Sequence, residues 1–385
     1  MEKLKVCFLI DDGIIRSHHG VRRYILSLSD ILSSSYECEI FVAKRHVSGR
    51  FINWNKLYFQ KVDYRDNGFK ENRLVGRNKR EIISNIPLAF QHSEAFSASE
   101  IASINFGCNL PDSYEFAVVC APWMLTADLL LPKARKTFCI AYDAIPNIYS
   151  IKRPGDVGLL NFANEHARGY QIAETKLDGI LAISEDSKMQ CESIGFGRVK
   201  EISVIPPFLP AGFSGLSPKS ANKKKQIILA APFDLRKGLE AIPDLVNASG
   251  AESLVIFGSV RCDISKVYEF YDRLLMDNVE WWSSVSYDKQ IELYTDSHLL
   301  LFPSLNEGLG LPVLEAYACG TSVLVSNISP LNKIALKEDV LSDDLDASKA
   351  KIADRISSNA DHSFLAKYAD KAWGRANLEA VWGAF

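Results

Sequence analysis

The sequence has no long apolar run. The longest, Phe116 to Leu125, is ten residues and contains Pro122, against the roughly 18 or more that a membrane-spanning helix needs. No apolar leader is expected from its start: only Val6 to Ile10 form an apolar run before Asp11 and Asp12, too few for a signal-peptide core. None of its eight cysteines pair in CxxC spacing. Neither a disulfide framework nor a structural zinc is expected, and a Cys inside an apolar stretch is read as a small hydrophobe. No charge of one sign dominates, since 44 Lys and Arg stand against 47 Asp and Glu. A globally basic nucleic-acid binder is therefore excluded. The P-loop lysine motif, the G-x-S-x-G elbow and H-E-x-x-H are all absent, which removes the nucleotidases, hydrolases and metalloproteases that use them. These absences point to a reduced, cytoplasmic protein with no nucleic-acid partner.

What is present fits two domains. The 385 residues are 47% hydrophobic, ample for full cores, and at roughly 150 residues per domain the length covers about two and a half. Short apolar runs alternate with helical spacing: Leu4 to Ile10, then Tyr24 to Leu32, then Glu39 to Ala43. This is a βαβ opening. Further strands are expected at 116–120, 137–142, 179–183 and 202–205. A Ser, Gly, Pro and Lys-rich crossing at 214–225 follows. The rhythm then restarts at 226–231, 253–257, 279–282, 298–302 and 321–326. Strands alternating with helices imply a parallel, doubly wound sheet, so the fold class is α/β with two such sheets.

The densest chemistry lies in Pro303 to Gly320, PSLNEGLGLPVLEAYACG. A buried strand from His298 precedes it. The glycines of Glu307-Gly308-Leu309-Gly310 permit tight backbone geometry, Pro312 suits a first helical turn, and Gly320 suits the position just past the helix end. Such a helix start favours an anion such as phosphate. Glu315 is read as standing in the first helical turn, with Glu307 in the loop eight residues earlier. One carboxylate there can bind vicinal hydroxyls of a ribose, and the other a second polyol across the phosphate. The plain alternative is a dipole-complementing Glu315 and a solvated Glu307.

This stretch resembles the E-x7-E signature of retaining glycosyltransferases of the GT-B fold, in particular glycosyltransferase family 4. Other segments resemble the same family: 179–198 with Val204-Ile205-Pro206, Ala231 to Leu239 (APFDLRKGL), 287–294 before the strand, and Ala141 to Pro146 (AYDAIP). The last is similar to an HD-x-x-P loop with Tyr142 in place of His. The resemblance implies that Glu315 binds the nucleotide ribose and Glu307 the donor sugar. It implies that the backbone of Gly308, Leu309 and Gly310 meets sugar and phosphate.

Arg236 and Lys237 follow a strand, and adjacent cations there can neutralise a diphosphate leaving group. Alone they would read as a solvated pair. Pro232 stands near the place of a further Arg usual in that family. Gly20, after His18 and His19, resembles a Gly-rich loop that approaches the donor phosphate, with His19 where the first Gly is usual. Asp143 follows a strand at the edge where open α/β sheets bind ligands. It faces the donor sugar or the acceptor hydroxyl on one reading, and caps the turn at Pro146 on the other. From Lys44 to Glu81, eleven Lys and Arg stand against four Asp and Glu, with aromatics among them. This is a candidate contact with an anionic membrane face or a lipid diphosphate; a solvated helical face and loops are the alternative. Asp344-Leu345-Asp346 has metal-motif spacing but sits in an acidic turn and is set aside.

The expectation is therefore a GT-B pair of Rossmann-like domains facing across a cleft. An acceptor domain spans 1–208, a nucleotide-sugar domain 220–365, and a helix over 366–385 crosses back to the first. The activity implied is retaining, metal-independent transfer of a sugar from a nucleotide diphosphate to a glycan or lipid-linked glycan acceptor, in surface polysaccharide synthesis. Localisation would be cytoplasmic, with contact at the inner membrane face. A nucleotide-sugar epimerase and a non-catalytic sugar-nucleotide-binding subunit are the alternatives.

Overall fold

The computed structural model describes residues 3–11, 20–48, 51–62, 72–91, 100–104, 113–126, 131–153, 155–210, 212–216, 223–358 and 364–374, with the side chains of 44–62, 90–91 and 100–104 left aside. These residues form two compact units. The first draws on Met1–Asn67 and Phe96–Pro207, and the second on Gly68–Ala95 and Phe208–Asn377.

The first unit is built on β1 (Lys5–Asp11), β2 (Glu37–Ser48), β3 (Phe51–Val62), β5 (Glu100–Ile104), β6 (Tyr114–Val119), β7 (Ala134–Ala141), β8 (Gly179–Ala182) and β9 (Ile202–Val204), while β4 (Arg73–Gly76) belongs to the second unit. The order is β5-β3-β2-β1-β6-β7-β8-β9. β1 lies parallel between β2 and β6, and Val6 to Ile10 are fully buried, as a central parallel strand requires. Helix α1 (Gly20–Leu32) starts four residues before the apolar spacing predicts, and Arg22 and Arg23 are buried within it. The region from Lys44 also departs from expectation. β2 runs on to Ser48 and turns back antiparallel into β3, which pairs antiparallel with β5. The basic stretch therefore begins in a hairpin rather than in a helical face and loops.

The second sheet has the order β14-β13-β10-β11-β12-β4, from β10 (Lys224–Ala230), β11 (Ser253–Phe257), β12 (Val279–Ser284), β13 (Ser297–Phe302) and β14 (Ser322–Val325). All pairs are parallel except β4 against β12, where Trp282 faces Leu74. This corrects the expected 1–208 domain. β4 and the following helix α2 (Lys79–Gln91) leave the first half of the chain and finish the second unit. The reason is burial: Val75, Ile82 and Ile86 join one apolar cluster with Val279 and Trp281. Without them β12 would be an open edge.

Helix α12 (Phe364–Trp373) also packs in the second unit, where Tyr368 and Trp373 meet Tyr317 with ring centroids 5.8 and 6.3 Å away. The described part of the expected crossing helix thus has its apolar partners in the second unit. Residues 375–385 of that expectation lie outside the described residues.

Candidate active site

The site is assembled from two loops at the carboxyl ends of the adjacent central strands β10 and β13, the place where open parallel sheets bind ligands. The β10 loop opens with Ala231 in a left-handed conformation (φ 49°), a strained choice for a residue with a Cβ. Asp234 then caps a short turn over Leu235–Lys237 by accepting from the Arg236 N–H at 3.1 Å. Gly238 closes the turn at φ 70°, and a Cβ there would stand 2.1 Å from the Pro303 carbonyl oxygen. Only glycine allows this approach. The Leu305 N–H donates to the Arg236 carbonyl at 2.7 Å, so the loops are joined backbone to backbone.

That junction brings together Glu307, Lys237 and Arg236. Lys237 Nζ donates to Glu307 Oε1 at 2.5 Å, and Arg236 Nη1 to Glu307 Oε2 at 3.4 Å. Arg236 is held from its other side by Asp234, Nε to Oδ2 at 3.1 Å. The Lys237 ammonium also sits 4.4 Å from the centroid of the Phe302 ring, a favourable cation–π contact. Lys237 and Glu307 are both buried. Burial is the largest influence on Lys237 and brings its pKa down to about 8 against the opposing pull of Glu307. Burial pushes the Glu307 carboxyl up, but the Lys237 and Arg236 charges outweigh it and hold the group below the usual carboxylate range. At neutral pH the cluster is a charged one.

After Leu309 the chain enters helix α9 (Leu311–Ala318) through Gly310, at φ 91°. A Cβ on Gly310 would lie 2.6 Å from Leu331 Cδ2, so packing as well as conformation selects glycine. Pro312 is in the first turn as expected. The helix ends in the two-bond motif that a left-handed Gly320 permits: Gly320 N–H to Tyr317 carbonyl at 2.9 Å, Thr321 N–H to Ala316 carbonyl at 2.8 Å. Glu315 is the fifth helical residue and so lies in the second turn. It is fully buried. Its Oε2 accepts from Gln290 Nε2 at 2.7 Å and from the Tyr294 hydroxyl at 3.2 Å, both on helix α8 (Tyr287–Asp296). The dipole-complementing reading of Glu315 does not describe this environment.

The remaining predicted residues lie elsewhere. Asp143 belongs to the first unit, after β7, and accepts from the Ile145 N–H at 3.0 Å, so the turn-capping geometry is present. Tyr142 is buried; its hydroxyl donates to the Cys120 carbonyl at 2.9 Å and its ring meets Tyr24 edge-on. It is a core residue of that unit. Gly20 begins α1, and among the described residues nothing lies within 4 Å of where its Cβ would be. His18 and His19 lie outside the described residues, as do 63–71 of the basic stretch. Asp344 caps helix α11 (Leu345–Ser357) through the Ala347 N–H, and Asp346 pairs with Lys349.

Glu307, Arg236, Lys237, Gly308, Leu309, Gly310 and Glu315 are thus gathered on two adjoining loops and one helix of a single unit. Sequence reasoning misses Gln290, Tyr294, Asp234 and Phe302. Only Asp234 had a local signal, as an acidic residue two positions before a basic one at a strand end.

Residues 217–372 match the family described as glycosyl transferases group 1. The serotype-specific mannosyltransferase WbdA of Escherichia coli is 26% identical over 293 residues, covering 66% of this chain and 34% of that protein. The chain thus matches about a third of the length of the curated relatives it resembles first. Among solved structures, WaaG, a glycosyltransferase involved in lipopolysaccharide biosynthesis, has a TM-score of 0.59 at 12% identity, covering 98% of this chain and 99% of its own. Anabaena Alr3699/HepE, solved with UDP and glucose, has a TM-score of 0.62 at 12% identity, covering 99% and 98%. These likenesses give the fold, GT-B, with two parallel-sheet α/β domains.

Proposed function

From the match of residues 217–372 to the glycosyl transferases group 1 family, we propose that the chain is an enzyme of that family and moves a hexose from a nucleotide diphosphate to an acceptor hydroxyl with retention of anomeric configuration. The observation that carries this is the buried contact of Lys237 and Arg236 with Glu307 at the carboxyl ends of β10 and β13. Two cations and a carboxylate held there suit a sugar diphosphate, whose phosphates need positive charge and whose hydroxyls need an acceptor.

In the proposed reaction the acceptor oxygen bonds to the anomeric carbon as the bond to the leaving phosphate oxygen breaks. The acceptor's proton passes to that phosphate, and no protein nucleophile is assigned. Negative charge grows on the departing diphosphate. Arg236 and Lys237, preorganised by Asp234, Phe302 and Glu307, stabilise it, with the start of α9 at Gly310 and Leu311 adding its dipole. Glu307 orients the sugar, and Glu315 binds the ribose. We assign Asp143 to the acceptor, and Gly20 to backbone approach by the donor phosphate. Since Arg236 and Lys237 supply the charge, transfer is proposed to run without a metal. The mannosyltransferase and polysaccharide relatives make mannose the first sugar to test and a surface polysaccharide the first acceptor class.

Incubating the chain with UDP-, GDP-, dTDP- and ADP-linked hexoses, a lipid-linked glycan acceptor and a chelator tests this. Free nucleotide diphosphate plus a lengthened acceptor is the expected outcome. An epimerised donor, or binding without turnover, would overturn it.

A further inference from the structure

The first unit carries a surface that the transfer reaction does not use. Helices α3 (Ile145–Lys152) and α4 (Val157–Lys176) form a hairpin. Its base is firmly bolted: His166 Nδ1–H donates to Asn147 Oδ1 at 2.7 Å, and Asn147 Nδ2 donates to the Ala163 carbonyl at 2.9 Å. Its turn is ordered by hydrogen bonds as well. The Arg153 N–H donates to the Tyr149 carbonyl, the Asp156 N–H donates to the Arg153 carbonyl, and the Asp156 carboxylate caps α4 by accepting from the Leu159 N–H.

Among the described residues of this tip, apolar side chains face outward. Ile151 is 78% exposed, Val157 67% and Leu160 41%. Single exposed aliphatics need no explanation, but three within ten residues on one turn do. Lys152 and Arg153 stand exposed beside them, and both cations lie near the half-buried Tyr149 ring, at 5.4 and 6.0 Å from its centroid. The one acidic residue of the turn, Asp156, is occupied by its cap. Aliphatics flanked by an aromatic and by cations on flexible stems match the boundary of an anionic bilayer, where apolar groups enter the acyl edge and cations meet phosphates. A protein interface, by contrast, is depleted of lysine.

We propose that the α3–α4 turn docks on an anionic lipid surface, with Ile151, Val157 and Leu160 entering the interface and Lys152 and Arg153 pairing with lipid phosphates. This does not depend on the assigned reaction, and the basic 44–80 stretch is not required for it.

The test is sedimentation of the full chain with vesicles of phosphatidylcholine alone and of phosphatidylcholine mixed with phosphatidylglycerol. The chain should pellet with the mixed vesicles, less so as salt rises. Lys152→Ala with Arg153→Ala should weaken binding about twenty-five-fold, at about fivefold per cation. Ile151→Ser with Val157→Ser and Leu160→Ser should weaken it at least as much. Because all five side chains face water, both variants should melt at the wild-type temperature and keep wild-type turnover on a soluble acceptor. Wild-type pelleting by either variant would overturn the proposal, as would equal binding to both vesicle types. So would a concentration-dependent dimer that the serine variant abolishes while its lipid binding persists.

Discussion

The amide of Gln290 donates to the carboxylate of Glu315 at 2.7 Å, and both side chains are fully buried. The bond spans two helices and fixes how Glu315 is presented, with the Tyr294 hydroxyl on the same oxygen. Gln290 is therefore a positioning residue for the group assigned to the ribose.

Replacing Gln290 by Leu keeps the approximate bulk and removes the donor. A buried carboxylate then loses a charge-assisted bond worth about 1.5–3 kcal/mol, so donor binding by calorimetry should weaken by about tenfold or more. Gln290→Glu is the sharper variant. Two carboxyls at hydrogen-bond distance share one proton, and while it is held the O–H still donates to Glu315. Donor affinity should then fall as pH rises between about 5 and 7, a slope the wild type lacks while Lys237 stays charged. A flat profile for Gln290→Glu would remove the positioning role.

Lys237 sets an alkaline limit. Its pKa is pushed down to about 8 by burial, so above that pH the free protein loses the cation proposed to meet the diphosphate. The kcat/KM for the donor should fall as pH rises through about 8, since that ratio reports the free enzyme. Bound diphosphate favours the charged form, so the limb in kcat should lie at higher pH. Lys237→Met should lose about a hundredfold or more in kcat, the scale of removing one preorganised electrostatic contact.

Glu307 raises the Lys237 pKa by its charge. Glu307→Gln should therefore move the alkaline limb of kcat/KM to lower pH, besides lowering transfer. Activity measured across pH in both proteins checks this. An unmoved limb would mean that the two groups do not titrate as neighbours.

Two glycine substitutions should part company. Gly238→Ala places a Cβ against the Pro303 oxygen in a left-handed backbone, at a cost of about 3 kcal/mol or more, read by urea denaturation. Gly20→Ala meets open space among the described residues and should change stability by less than about 0.5 kcal/mol. If Gly20 gives the donor phosphate close approach, the same variant should still raise the KM for the donor.

Much of the 303–320 segment was legible because its signals are local. A buried strand, two glycines, Pro312 and Gly320 each constrain their own few residues, and together they place Glu307 in a loop and Glu315 on a helix. The helical turn of Glu315 was misjudged by one, because the helix already begins at Leu311, directly after the left-handed Gly310, rather than at Pro312 or beyond. Gln290 and Tyr294 were not legible, since their partner is chosen by packing of α8 on α9. Arg236 and Lys237 were legible as a candidate diphosphate pair from their place after a strand, but their contact with Glu307, made where Gly238 lies against Pro303, was not. The antiparallel addition of β4 was invisible for the same reason: nothing in Arg73 to Gly76 names a partner some two hundred residues away.

That addition bears on how the protein is made. On a ribosome adding about 5–20 residues per second, β4 emerges about 10–40 seconds before β12 exists to receive it. For that interval Leu74, Val75 and the apolar face of α2 have no native resting place. Synthesis rate and early protection of that segment, as much as the folded contacts, then decide the yield of intact protein, and a fragment begun at Phe208 would be born with the edge of β12 uncovered.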